Sequence, residues 1–233
     1  MTFVNWTIEQ RWSHAAFWNW KVPEAALQHQ VPFPLDLHDG QAVLSLVPFY
    51  MDQIRFRGMP RVSLFSSLWE LNLRTYVNVN GIAGIYFFTL ETPHVLGNFI
   101  ARSFFDLPYR KAQITAKAGE NDYRFQAKGR LADQSPYDLA MELETGAALS
   151  TDPFQMWITE RYHLFVKKGG LTIRGDVHHE PWKTSPVTVR MLKGGISILP
   201  KLPEVSDLAS SFLGEPLRVR FSPFQIQDNQ RAR

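Results

Sequence analysis

Four polar side chains in one row could form a binding or catalytic site in this chain. They recur at every second residue, the spacing that puts side chains on one face of a β-strand, and they are Glu70, Asn72, Arg74 and Tyr76. A guanidinium binds a carboxylate strongly, and a carboxyl group can donate or accept a proton in a reaction. The opposite face of this strand is mainly apolar, with Trp69, Leu71, Leu73, Thr75 and Val77. The row therefore indicates either a solvated sheet face or the polar wall of a cavity.

The neighbouring strand favours the cavity. Asn80-Gly81 is a strong turn signal that makes residues 85–90 the hairpin partner of the polar row. Both faces of that partner are apolar, with Ile85 and Phe87 on one side and Tyr86, Phe88 and Leu90 on the other. A strand beside it should be covered on both faces as well. We therefore predict that the polar row faces inward, where its charges must be paired or hydrogen-bonded.

A second buried carboxylate is predicted at Glu160. Residues 156–166 alternate like a strand, and one face reads Met156, Ile158, Glu160, Tyr162, Leu164 and Val166. Desolvation raises the pKa of such a carboxyl group, and a guanidinium within about 4–6 Å lowers it again. We predict that Glu160 meets Arg74 in one polar cavity. The alternative stays open: a buried ion pair without a catalytic role, with Tyr76 and Tyr162 as core aromatic residues. In that alternative Glu70, which is nearest the start of the strand, is solvated.

These residues belong to one predicted domain, residues 1–233, which is mainly antiparallel β-structure with two or three helices. Strands are predicted over residues 41–49, 66–77, 85–90, 111–118, 123–130, 156–166, 171–179, 187–192 and 217–221. Helices are predicted over residues 23–29, 94–105 and 206–214. Four tryptophans in the first twenty residues are assigned to core or oligomer packing, because too few basic residues accompany them for a membrane-surface helix.

The composition excludes several classes of function. The net charge is +3 and the basic residues are scattered, so no nucleic-acid partner is predicted. The absence of cysteine excludes thiolate catalysis and suits a reducing compartment. No run approaches the ~20 apolar residues of a membrane span, and no signal-peptide pattern is found, so we expect a cytoplasmic protein without a membrane partner. His178 and His179 are adjacent and should point to opposite faces of a strand, so no metal site and no cofactor are predicted.

The polar row also carries a family resemblance. Residues 70–77, followed by Gly81, Gly84 and Phe87-Phe88, resemble the signature of the YqjF-like family of uncharacterised bacterial proteins. Blocks resembling other parts of that family follow in the same order over most of the chain, at residues 20–23, 39–40, 47–49, 107–109, 159–162 and 177–182. The family is similar in fold to acetoacetate decarboxylase. This resemblance implies an α+β fold, mainly antiparallel β, in which a large curved sheet closes into a cone-like barrel with a few outer helices and an interior ligand site.

The same resemblance raises the question of a Schiff-base lysine. Acetoacetate decarboxylase uses such a lysine, with its pKa depressed by a cationic neighbour, and the resemblance places the corresponding region at residues 107–112, with Tyr109 near the catalytic position. Lys111 alternates with Gln113, Thr115 and Lys117, which predicts that it points to solvent while Arg110 points the other way. A solvated lysine stays protonated near neutral pH, so Schiff-base chemistry is the less favoured reaction.

Two functions are consistent with these residues. In the first, the chain binds a small organic acid or carbonyl compound, with Arg74 on the carboxylate. The expected ligand-binding residues are Asn72, Arg74, Tyr76, Tyr109, Arg110 and Tyr162. In the second, it is a lyase, a decarboxylase-like enzyme for a small keto acid, with Glu160 or Glu70 as general acid/base and Arg74 as an electrostatic clamp. The first is favoured because the expected lysine cannot be placed, and homo-oligomer formation is left open.

Overall fold

The computed structural model describes residues 5–59, 67–93, 107–119, 123–130, 135–144, 148–150, 152–193 and 208–227, and most of them lie in strands. The strands are β1 (Ile8–Ser13), β2 (Ala15–Val22), β3 (Ala42–Phe56), β4 (Ser67–Val79), β5 (Ile82–Thr92), β6 (Tyr109–Lys111), β7 (Gln113–Ala118), β8 (Tyr123–Arg130), β9 (Pro136–Glu144), β10 (His163–Lys168), β11 (Leu171–His178), β12 (Thr184–Pro186), β13 (Thr188–Lys193), β14 (Ser210–Gly214), β15 (Leu217–Phe221) and β16 (Gln225–Gln227). The helices are α1 (Glu24–Gln28) and α2 (Pro153–Thr159). Within the described part of the chain, neither helix has the length and apolar character needed to cross a membrane.

Seven strands of the larger sheet close into a barrel in the order β1-β15-β11-β10-β5-β4-β3, because β1 also pairs with β3. Most neighbours are antiparallel, whereas β5 runs parallel to β10 and to β6. The narrowest seam joins β5 to β10, where the register consists of the single pair Leu164–Ile85. The curved sheet closing into a barrel, which the family resemblance implied, is therefore confirmed.

A second sheet covers the outer side of β4. Its four strands follow the order β13-β9-β8-β7, and it contributes Tyr123, Phe125 and Met141 to a core that also contains Trp18 and Trp20. The apolar face of β4 packs in the same core. Strand β4 is thus buried on both faces, as its apolar hairpin partner predicted, and the two tryptophans are core residues rather than surface anchors.

The strand predicted over residues 156–166 is wrong. The side chain of Asp152 accepts hydrogen bonds from the backbone amides of Phe154 and Gln155, and this cap begins helix α2, whose C-cap is Glu160. Asp-Pro is a strong start signal for a helix, because aspartate satisfies free amides and proline suits the first helical position. The alternating apolar residues favoured a strand, and this led to the wrong prediction. Within 156–166, only the residues from His163 onward lie in a strand, β10.

The helix predicted over residues 206–214 is also wrong where the structure describes it. Residues 210–214 form strand β14, because their backbone pairs with β2 and the Phe212 ring stacks 4.7 Å from that of Phe17. These partners are far apart in the sequence, so the local pattern could not indicate them. Ser206 and the helix predicted over residues 94–105 lie outside the described residues.

Candidate functional site

The inside of the barrel contains a cavity of about 90 Å³. Its wall is largely apolar, with the aromatic residues Trp12, Phe17, Phe49, Phe87, Trp182 and Phe221. The polar residues that line it are Gln10, Glu70, Asn72, Arg74, Tyr109, Thr159, Arg161 and His179. Because one water molecule needs roughly 10–15 Å³ of cavity, the space accommodates a molecule of several heavy atoms. An apolar pocket with a few convergent polar groups is typical of a small-molecule site.

Strand β4 delivers three of the four residues of the predicted polar row to this cavity. Glu70, Asn72 and Arg74 line it, and each is less than a tenth exposed. Tyr76 is fully buried next to the cavity, with its hydroxyl 2.7 Å from Ser45 Oγ and its ring packed 4.8 Å from that of Trp157. The row therefore faces inward as predicted, and Tyr76 supports the site without lining it.

Arg74 is a buried cation without a counter-charge among the described residues. Its side chain forms no ion pair with them, and its Nε has no hydrogen-bond acceptor. The guanidinium lies 5.3 Å from the ring centroid of Phe17 and 5.7 Å from that of Tyr76, and such aromatic faces attract a cation only modestly. Because an unpaired charge in an apolar environment is costly, this site is suited to an anionic ligand.

Glu70 supplies a second chemical group, a buried carboxyl held by its neighbours. The Tyr109 hydroxyl donates to Glu70 Oε2 over 3.0 Å, and Asn72 also donates to this carboxyl group. Burial raises the pKa of Glu70 to about 8, against these hydrogen bonds, and raises the pKa of Tyr109 well above its usual value. Asn72 Oδ1 accepts no hydrogen bond from the residues that the structure describes. At neutral pH the cavity thus contains a protonated carboxyl group that can donate a proton or a hydrogen bond.

Arg161 is a cavity residue that the sequence placed on the wrong face of a strand. It follows helix α2, and its Nη1 lies 2.6 Å from Asp36 Oδ2 while its Nε donates to the Trp157 carbonyl over 2.7 Å. In the part of the chain that the structure describes, its Nη2 has no hydrogen-bond partner. The helix start signal at Asp152 could have located Arg161. A helix that begins there replaces the predicted strand, so the strand alternation no longer decides which way Arg161 points.

Glu160 and Tyr162 are placed one layer behind the cavity wall. The Glu160 carboxylate accepts hydrogen bonds from the Tyr162 hydroxyl and, over 3.2 Å, from the backbone amide of Trp182. Neither residue lines the cavity, and the predicted pairing of Glu160 with Arg74 is not formed. The reason is that Glu160 ends a helix and does not lie in a strand. Its contact with Trp182, which does line the cavity, makes it a support of the wall.

Of the two ligand-binding residues predicted in β6, one lines the cavity and the other does not. Tyr109 lines the cavity, whereas the half-buried Arg110 does not, although it lies close enough to Glu91 to lower the pKa that burial raises. Lys111 is exposed, which confirms that it points to solvent. Tyr109 is therefore the residue of this strand that can contact a ligand.

The two adjacent histidines point in opposite directions at the end of β11, as predicted. His178 lies 2.8 Å from the Ser222 hydroxyl, while His179 lines the cavity and its Nδ1 donates to the Glu180 carbonyl over 2.8 Å. Burial lowers the pKa of His179, so its imidazole is neutral at pH 7. The sequence favoured one exposed histidine and one hydrogen-bonded near Trp182 over a metal site, but no pattern in it marked His179 as a cavity residue.

Trp182 occupies a position in the cavity wall that a glycine makes available. A Cβ on Gly214 would lie 2.3 Å from two carbons of the indole ring, so we expect Gly214→Ala to displace that ring. Overpacking of this kind costs about 1–3 kcal/mol of unfolding free energy, measurable by urea denaturation. In a Trp182→Ala background the same glycine substitution should cost nothing; an equal cost in both backgrounds would contradict the clash.

Comparisons with known proteins identify relatives at the level of family and fold. The sequence model of the DUF2071 family, described as an uncharacterized conserved protein, matches residues 9–207. The chain is 33% identical over 180 residues to the uncharacterized protein YqjF of Bacillus subtilis strain 168, a match that covers 76% of this chain and 74% of that protein.

Solved structures with the same fold are much more distant in sequence. Acetoacetate decarboxylase from Legionella pneumophila superposes with a TM-score of 0.65 at 11% identity, over 96% of this chain and 88% of that chain. The enduracididine biosynthesis enzyme MppR, complexed with pyruvate, superposes with a TM-score of 0.63 at 10% identity, over 96% and 91%. Identities this low establish the fold alone, an acetoacetate decarboxylase-like fold.

Proposed function

This chain belongs to the DUF2071 family of uncharacterized conserved proteins, and we propose that it binds a small organic acid or carbonyl compound inside the barrel. The observation that carries the proposal is the buried guanidinium of Arg74, which lines an apolar cavity without an ion-pair partner among the described residues. A ligand carboxylate would supply the missing charge through charge-assisted hydrogen bonds.

The neighbouring groups fit the same ligand. Asn72 lies two residues from Arg74 on β4 and faces the same cavity, so its amide can orient the bound carboxylate. The aromatic wall suits a short apolar tail, because burial of that tail removes its surface from water. MppR, which has this fold, has been solved with pyruvate, and this supports a small acid as the class of ligand.

The proposal predicts a stabilising effect that depends on Arg74. A panel of short monocarboxylic and keto acids should raise the melting temperature of the wild type, because a ligand at one hundred times its Kd adds about 2.7 kcal/mol. Arg74→Gln should abolish the shift, whereas Arg124→Gln, an exposed arginine paired with Glu142 on the outer sheet, should retain it. A panel without effect on the wild type, or a shift that survives in Arg74→Gln, would refute the proposal.

A second candidate function is supported by Glu70. A protonated carboxyl group in the cavity, hydrogen-bonded to Tyr109, can act as general acid toward a bound keto acid, as in a decarboxylase-like lyase. No lysine among the described residues lines the cavity, which favours this route over a Schiff base. The acids of the panel are therefore also followed by NMR: turnover in the wild type that is lost in Glu70→Gln would favour the enzyme over the binding module.

We further propose that the partner is this small molecule rather than a nucleic acid, because the basic residues are scattered along the chain. A cytoplasmic location fits the absence of cysteine. Homo-oligomer formation stays a prediction to be measured by light scattering.

A further inference from the structure

We infer that Asp36 determines the charge class of the ligand: by neutralising Arg161 it leaves Arg74 as the uncompensated cation of the cavity, so that monoanionic acids are accepted and dianionic acids are rejected. This inference rests on the proposed function, because it assumes that an acid binds at Arg74. It assigns a role in specificity to a residue that does not line the cavity.

Asp36 and Arg161 form a fixed pair. The Arg161 side chain is 5% exposed and that of Asp36 is 22% exposed, and their closest atoms are 2.6 Å apart. Arg161 is also held by its bond to the Trp157 carbonyl and by the Trp157 ring, whose centroid is 4.2 Å from the guanidinium carbon. Asp36 is anchored because its backbone amide donates to the Tyr76 carbonyl over 2.9 Å. The negative charge therefore stays next to Arg161.

The two arginines that line the cavity, Arg74 and Arg161, are close enough to bind the same ligand. Both guanidinium groups lie beside the Tyr76 ring, with their carbons 5.7 Å and 5.3 Å from its centroid for Arg74 and Arg161. The sum of these distances limits their separation to about 11 Å. Each has a nitrogen without an acceptor among the described residues, Nε in Arg74 and Nη2 in Arg161. Because both arginines line the cavity, a dicarboxylate could reach both groups.

The charges around the cavity decide the preference. Glu70 is protonated at neutral pH because burial raises its pKa to about 8, and His179 is neutral because burial lowers its pKa. The charges of Arg161 and Asp36 cancel. Glu160 lies behind the wall, where it accepts hydrogen bonds from the Tyr162 hydroxyl and the Trp182 amide. Among the described residues that line the cavity, Arg74 therefore leaves one net positive charge. One carboxylate neutralises it. A second carboxylate would add a buried negative charge without a partner, which is costly in an apolar environment.

Removal of the Asp36 charge should reverse this selection. At pH 7 we compare butyrate with succinate, two four-carbon probes with one and two carboxylates, by calorimetry and by thermal shift. The wild type should bind butyrate at least tenfold more tightly than succinate, and Asp36→Asn should lower the Kd for succinate at least tenfold. Asp36→Ser is a second charge-removing variant in case one of them folds poorly, and Asp36→Glu should restore the wild-type preference.

The control and the failing outcomes separate this inference from the proposed function. Asp39→Asn removes the same charge from an exposed carboxylate paired with Lys21, and it should leave the butyrate-to-succinate ratio unchanged. If the wild type binds butyrate and no Asp36 variant alters the ratio, the role of Asp36 is refuted while the proposed function stands. If neither the wild type nor any Asp36 variant binds either acid, and the acid panel also leaves the wild-type melting temperature unchanged, the proposed function is refuted and this inference with it.

Discussion

Glu70→Gln is expected to raise the free energy of unfolding above that of the wild type, by a margin that grows with pH. The Glu70 carboxyl is 3% exposed, and burial raises its pKa from 4.5 to about 8. Between these two values the folded chain keeps the proton while the unfolded chain has released it. Raising the pH therefore pulls the equilibrium toward the unfolded chain. The wild type loses stability over this window, and a glutamine, which does not titrate, removes the loss.

The size of this effect follows from linkage. Each pH unit over which only the folded state keeps the proton costs about 1.4 kcal/mol, so the three units from pH 5 to pH 8 cost on the order of 4 kcal/mol. Glu91 also lowers the stability as the pH rises, because burial raises its pKa to about 7. His14 and His179 have the opposite effect below pH 6.5, where a rise in pH increases the stability, because burial lowers their pKa values. These groups are present in both proteins and cancel in the difference.

The measurement is urea denaturation of both proteins at half-unit steps from pH 5 to pH 9. The stability difference between Glu70→Gln and the wild type should rise steadily and level off above pH 8. Glu144→Gln, an exposed carboxyl on β9, serves as the matched control and should give a constant difference. A flat profile for Glu70→Gln would mean that Glu70 is ionised in the folded protein, and the charge count of the cavity would then be wrong.

The alternation of polar and apolar residues in the sequence correctly predicted the part of the site that lies on β4. Glu70, Asn72 and Arg74 could be placed inside because β4 pairs with β3 without a register shift and its hairpin partner β5 is adjacent in the sequence. The closed barrel came from the family resemblance, since strand periodicity shows which residues share a face but not which strands become neighbours. The pairing of β1 with both β3 and β15 joins parts of the chain that are far apart, and no local pattern encodes it.

The second arginine of the site could not be predicted for two physical reasons. The apolar residues of 156–166 alternate as in a strand, whereas the helix begins at a cap, Asp152, that lies outside this apolar run. The ion pair of Arg161 with Asp36 spans 125 residues of sequence. Its formation depends on tertiary packing, and this is why the sequence alone suggested Glu160 as a counter-charge for Arg74.

Gly84→Ala is expected to open the barrel at its narrowest seam. A Cβ at this position would lie 2.7 Å from Phe165 Cε2 and 2.8 Å from the His163 carbonyl oxygen. The phenyl ring could rotate away, but the carbonyl belongs to the backbone of β10 and can move only if β10 moves. Strands β5 and β10 are joined by a single register pair, and both of its members, Ile85 and Leu164, line the cavity. The loss should therefore affect both stability and ligand binding.

We expect Gly84→Ala to lower the free energy of unfolding by about 3 kcal/mol, the upper part of the range for overpacked cores, and to weaken any acid-induced thermal shift. Ala83→Ser adds one atom to the neighbouring position and should cost much less, since Ala83 is half-buried. Phe165→Leu in the Gly84→Ala background relieves the clash with the ring but not the clash with the carbonyl. It should therefore restore only part of the stability. Complete rescue by Phe165→Leu would show that the ring alone excludes a side chain, and that the contact of β5 with the β10 backbone does not set the closure of the barrel.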